Sequence, residues 1–107
     1  MPTVVAVTRA AGRGLRIALS GEVDAVVRDE LHEVFLDPRL READQDVVVD
    51  VGAVTFMDST GVAFLARLGS VCRGRVRLVD ATPFLQNVLR ITGVDALLRM
   101  EEAEDQR

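Results

Sequence analysis

The chain contains no lysine, no tryptophan and no tyrosine, and it has a single cysteine and a single histidine. Without lysine there is neither a Schiff-base amine nor a P-loop lysine; all 13 basic residues are arginine. Only 4% of the residues are aromatic, too few for the stacking platforms that hold single-stranded nucleic acid. The lone cysteine, Cys72, excludes an intramolecular disulfide and fits a reducing cytosol; within an apolar helical pattern it is expected to be a core residue. One histidine and one cysteine do not make a metal cluster, so no metal or other cofactor is expected. No apolar run approaches the roughly 20 residues of a membrane-spanning helix. The start of the chain also lacks a basic region leading into an apolar segment of signal-peptide length. The expectation is a cytoplasmic protein with no membrane insertion. A formal net charge of −4 opposes direct contact with a nucleic-acid backbone.

What is present is a core. Of the 107 residues 49% are hydrophobic, enough for one domain and against disorder. That single domain is expected over the whole chain, with its core at about residues 3–100 and a charged tail over 101–107. Thr3 to Arg9 is rich in β-branched residues and predicts a strand; after a glycine-containing turn, Leu15 to Leu19 alternates apolar and other residues as a second strand, giving an antiparallel hairpin. Ala25 to Leu36 places Val27, Leu31, Val34 and Phe35 at helical spacing, with Asp24 as N-cap and Asp37-Pro38 as the interruption. A further turn is expected over Arg39 to Ala43. Asp46 to Val51 is a nearly continuous apolar run, as in a strand covered on both faces of a parallel sheet. A loop over Gly52 to Met57 then precedes a helix that opens near Ser59 and carries Val62, Leu65, Ala66, Leu68 and Cys72. Arg75 to Asp80 predicts another strand. Thr82-Pro83 starts a third helix that stops at Gly93, and a short apolar stretch follows. The order β-β-α-β-α-β-α is an α/β pattern: a mixed β-sheet, the hairpin first and then parallel βαβ units, with helices packed on it. Right-handed crossovers bring the loops Gly21 to Asp24, Phe56 to Gly61 and Ala81 to Pro83 to one edge.

Asp58-Ser59-Thr60-Gly61 stands between a buried strand and an apolar helix, where free amides and the positive end of the helix dipole favour an anion. A hydroxyl there is well placed to carry a phosphate. The plainer reading is that Asp58 or Ser59 only caps the helix. Phe56 and Met57 beside it at an expected loop tip suggest core anchoring or a contact surface. Gly61 is expected to let another chain approach the backbone. Glu22 and Asp24 share the same edge and either help orient a partner or cap the first helix. Asp50, the polar residue of the buried strand, is expected to bind loop amides rather than act in catalysis. His32 falls in the middle of the first helix, where a solvated or half-buried structural role is expected. A hydrolase elbow would read G-x-S-x-G, but Met57 stands two before Ser59, and no base is placed to activate that hydroxyl. The chain is therefore not expected to be an enzyme.

The stretch VVVDVGAVTFMDSTGVAFL resembles the signature of the bacterial anti-sigma factor antagonists, the family that defines the STAS domain. LSGEVDAVVRDEL resembles the family's opening, and LVDATPFLQNVLRITGVDALL its ending, so the resemblance spans about Val4 to Met100. It implies the STAS fold and a partner-switching regulator. The unphosphorylated form would bind an anti-sigma factor that is also an ATP- and magnesium-using serine kinase, releasing the sigma factor. Phosphorylation of Ser59 would end binding, and a serine phosphatase would restore it. Asp58, Thr60 and Gly61 flank that serine, and Thr82 lies on the same edge. Two departures, the short Cys72-Arg73-Gly74 turn and the Asp37-Pro38 break, lie away from the switch. Related STAS domains serve instead as scaffolds of stress-sensing assemblies or as accessory subunits of membrane transporters.

Overall fold

The computed structural model describes residues 4–9, 14–41 and 46–101. A five-stranded sheet has the order β1 (Val4–Arg9), β2 (Leu15–Val23), β3 (Val47–Met57), β4 (Val76–Val79) and β5 (Arg99–Glu101). β1 and β2 pair antiparallel, and every later pair is parallel, as expected of a hairpin followed by βαβ units. The crossovers are α1 (Arg28–Val34), α2 (Ser59–Val71) and α3 (Pro83–Thr92). Because neighbours in the sheet are neighbours in sequence, right-handed crossovers all fall on one face. The side chains obey that arrangement. Leu15, Ile17, Leu19 and Val23 of β2 are buried, while Arg16, Ala18 and Ser20 between them are only partly covered.

The core gathers Ile17, Val49, Leu65, Leu68, Leu78 and Leu89 beneath the helices. Phe35, just after α1, meets Phe64 of α2 edge-on, with ring centroids 5.5 Å apart. Cys72 is buried there as expected; burial pushes its thiol pKa up against the opposing pull of Arg75 and Arg41.

The helix signals fall where the sequence puts them. Asp24 accepts from the Val26 amide at 3.0 Å and opens a 3-10 turn over Ala25–Val27 that leads into α1. Thr82 accepts from the Leu85 amide at 3.1 Å, Pro83 begins α3, and Gly93 ends it with φ of 81°, a left-handed conformation that glycine tolerates without strain. The turn after Asp37 is a 3-10 turn over Pro38–Arg41, and Ala43 lies outside the described residues.

Several boundaries differ. β2 continues through Gly21, Glu22 and Val23, and β3 continues through Gly52 to Met57, where the sequence predicts a turn and a loop. The two extensions support one another. β3 pairs with β4 only as far as Asp50, but with β2 out to Val23 opposite Met57, through register shifts near Ser20 and Glu22. Cover on both faces of β3 holds for Val48, which is 5% exposed, but not for Asp50. That carboxylate accepts from the Gly52 amide at 2.9 Å, a strand amide where the sequence predicts a loop amide, and from Arg16 on β2 at 2.6 Å.

Of the expected charged tail, Glu101 is part of the sheet, and residues 102–107 lie outside the described residues. Glu101 belongs to β5, and its carboxylate accepts from Arg77 Nε at 3.0 Å and Nη2 at 2.7 Å. Those hydrogen bonds hold the Glu101 pKa below the usual carboxylate range. A depressed folded-state pKa means that the contribution is present above the unfolded-state pKa and is lost as pH falls through the folded one. Glu101→Gln is therefore expected to lower the denaturation midpoint slightly near neutrality and to match the parent at an acid pH where the carboxyl is protonated in both folded and unfolded states. Urea titrations at both pH values check this.

Candidate functional site

The end of the β2–β3 ladder fixes the site. The Asp58 amide donates to the Val23 carbonyl at 3.2 Å, so the chain leaves β3 and enters α2 in one residue. Asp58 is the N-cap: its carboxylate accepts from the Thr60 amide at 2.8 Å. Between the two capping candidates the structure selects Asp58 and leaves Ser59 with its hydroxyl uncommitted. Ser59 is the first residue of α2, is exposed, and makes no side-chain hydrogen bond among the described residues.

Two concavities flank this turn. A cleft of about 450 Å³ between α1 and α2 is lined by Ser59, Thr60 and Ala63 on one side and by Arg28, Leu31 and His32 on the other. Phe35, Phe64 and Arg67 complete it. A second groove of about 310 Å³ separates the end of β3 from α3; Phe56, Met57, Thr82, Phe84 and Val88 are among its walls. Ser59 and Thr60 thus face the first concavity, while Phe56, Met57 and Thr82 face the second.

Phe56 and Met57 end a strand and are not a loop tip. Phe56 is 51% exposed, opposite Glu22 in the ladder, whereas Met57 is partly buried against the core. Asp24 caps the 3-10 turn before α1, which is the structural role weighed for it. Glu22 is exposed beside Phe56. Gly61 does not provide an opening for another chain. It is buried, and a Cβ there would overlap Met57 Cγ and lie 3.0 Å from Val23 Cγ1. Its small size lets α2 lie close against the ends of β2 and β3.

His32 is solvated, as expected, but its place in the Ser59 cleft is not evident in the sequence. Its Nδ1 lies 3.5 Å from Arg67 Nη1, and the Arg67 guanidinium sits 4.1 Å above the Phe35 ring. Arg28, His32, Phe35 and Arg67 are site-lining residues that sequence reasoning misses. Ser59, Ala63 and Arg67 do recur at intervals of four, which marks one helix face. Nothing in the sequence says that Arg28 and His32 lie opposite.

Gly61→Ala is expected to displace Met57 and destabilise the domain by about 1–3 kcal/mol, with Met57→Ala in the same chain recovering part of the loss. Asp58→Ala should cost about 1 kcal/mol through the lost cap. Chemical denaturation of each variant measures both effects.

A search of curated proteins gives no match. Among solved structures the fold is similar to an anti-sigma factor antagonist from Mycobacterium paratuberculosis, with TM-score 0.73 and 22% identity, covering 94% of this chain and 86% of that one. It is also similar to the anti-sigma factor antagonist SpoIIAA in its unphosphorylated form, with TM-score 0.66 and 19% identity over 94% and 90% of the two chains. A third likeness is to the Bacillus cell fate determinant SpoIIAA in its phosphorylated form, with TM-score 0.68 and 18% identity over 96% and 94%. At these identities the likenesses show a common fold. The family model described as "Mlab, STAS domain" matches residues 6–99, and with the mixed sheet and its crossovers it shows that this chain belongs to the STAS-domain family.

Proposed function

We propose that this protein is an anti-sigma factor antagonist controlled by phosphorylation of Ser59. The unphosphorylated form binds a kinase-type anti-sigma factor in the cytoplasm and frees its sigma factor; that kinase, with its ATP and magnesium, then phosphorylates Ser59 and ends binding. A serine phosphatase resets the switch. The observation that carries this reading is the exposed, uncommitted hydroxyl at the first position of α2, next to an aspartate that already caps the helix. The existence of SpoIIAA, an anti-sigma factor antagonist of similar fold, in unphosphorylated and phosphorylated forms supports it. Glu22, Asp24, Phe56, Met57, Asp58, Thr60 and Thr82 surround the same edge and form the proposed contact surface; Gly61 sets its backbone from beneath.

Electrostatics says how the switch works. A phosphoserine adds about −1.5 to −2 charges and three acceptor oxygens. At a helix N-terminus that charge is favourable by roughly 0.3–1 kcal/mol, and repulsion from Asp58 offsets part of it. The domain therefore tolerates the phosphate. A hundredfold weaker complex needs only about 2.7 kcal/mol, and a doubly charged group desolvated without a partner at an interface supplies that readily.

Incubation with a kinase-type anti-sigma factor and magnesium-ATP, followed by mass spectrometry, should place one phosphate on Ser59. Label confined to Thr60, or no label, contradicts the proposal. Ser59→Glu should bind that partner on the order of a hundredfold more weakly, while its melting temperature shifts by only a few degrees. A collapsed Ser59→Glu fold would refute the electrostatic mechanism.

A further inference from the structure

The cleft beside Ser59 has a chemistry of its own. Its charged lining is arginine, Arg28 and Arg67, with the imidazole of His32 between the helices and no carboxylate in the wall. Two acidic groups at this edge are directed elsewhere, Asp58 onto the Thr60 amide and Asp24 onto the Val26 amide, and Asp29, Glu30 and Glu33 of α1 are not among the residues that line the cleft. Neither Arg28 nor Arg67 makes an ion pair among the described residues. Arg67 is also prepositioned, its guanidinium held 4.1 Å over the Phe35 ring and one edge turned toward His32 Nδ1. A stacked guanidinium keeps its donor fork in a fixed plane, the arrangement that carboxylates match with two parallel hydrogen bonds. The floor beneath is apolar, made by Leu31, Phe35 and Phe64.

We infer that this cleft is the docking site for an acidic segment of a partner protein, a carboxylate side chain on Arg67 and Arg28 with an adjoining aliphatic side chain on the aromatic floor. Charge complementarity selects the occupant, because a basic or neutral segment would leave both arginines unmatched. A second basic group lies at the far end of α2, where Arg41, Arg73 and Arg75 line a hollow of about 430 Å³ with Val71. It lacks both the aromatic floor and the stacked guanidinium, and it serves as the control. The inference rests on the reading of the Ser59 edge as a contact surface. Ser59 lines the same cleft, so a phosphate there would set like charge beside the incoming carboxylate.

The test uses the full unphosphorylated chain and a fluorescein-labelled peptide of alternating glutamate and leucine, followed by anisotropy at low salt, with a glutamine–leucine peptide as reference. Saturable binding is expected for the glutamate peptide, at least about tenfold weaker for the glutamine peptide and for Arg67→Gln, and unchanged for Arg73→Gln. Arg67→Lys should recover only part of the affinity, since an ammonium has no fork. If Arg67→Gln melts early, Arg28→Gln, at an exposed position outside the core, replaces it. No binding, equal binding of the two peptides, or loss of binding in Arg73→Gln overturns the inference. Any of these results leaves phosphate transfer to Ser59 untouched, and failure of that transfer leaves the peptide result untouched.

Discussion

The parallel ladder of β2 on β3 continues beyond the point where β4 lets go, out to Val23 opposite Met57. Its last bond, from the Asp58 amide to the Val23 carbonyl, delivers the chain to the start of α2 in a fixed direction. The cap, the exposed hydroxyl and the two flanking concavities all follow from that one geometric constraint. Gly61 belongs to it as well, because the helix can lie against Val23 and Met57 only if no Cβ intervenes.

The same constraint separates what the fold needs from what the proposed switch would use. Asp58 satisfies the helix end, so the fold does not need Ser59 to do so. A residue released from structural work, exposed, and set at the positive end of a helix can gain or lose charge at little cost to the domain. Whatever docks against that edge must desolvate the charge, and there the cost is large. Arg28 and Arg67 line the cleft on one side of the serine, and Asp58 stands beside it as the helix cap.

Much of this was legible in the sequence because it rests on local chemistry. Thr82-Pro83 and Gly93 bound α3 through capping geometry that depends on a few consecutive residues. Alternation along Leu15 to Leu19 and helical spacing from Val27 to Phe35 identify their buried faces for the same reason. What could not be read depends on contacts distant in sequence. Gly21-Glu22 and Gly52-Ala53 look like turns, yet they remain extended because each strand supplies the other's hydrogen bonds. β5 is three residues long, and its pairing with β4, reinforced by Arg77 on Glu101, has no local signature. The cleft needs the mutual placement of α1 and α2, set by Phe35 against Phe64 and by Arg67 over Phe35. Family resemblance pointed to Ser59 but not to the arginines opposite it.

The central claim is that charge at Ser59 changes what this surface binds without changing the domain that carries it. Amide and arginine side-chain NMR spectra of the uniformly labelled protein, before and after complete phosphorylation at Ser59, measure this directly. The account predicts shifts confined to the start of α2 and the cleft walls, including Arg28 and Arg67, with the amides of Ile17, Val49 and Leu78 in place. Shifts spread through those core strands would contradict it.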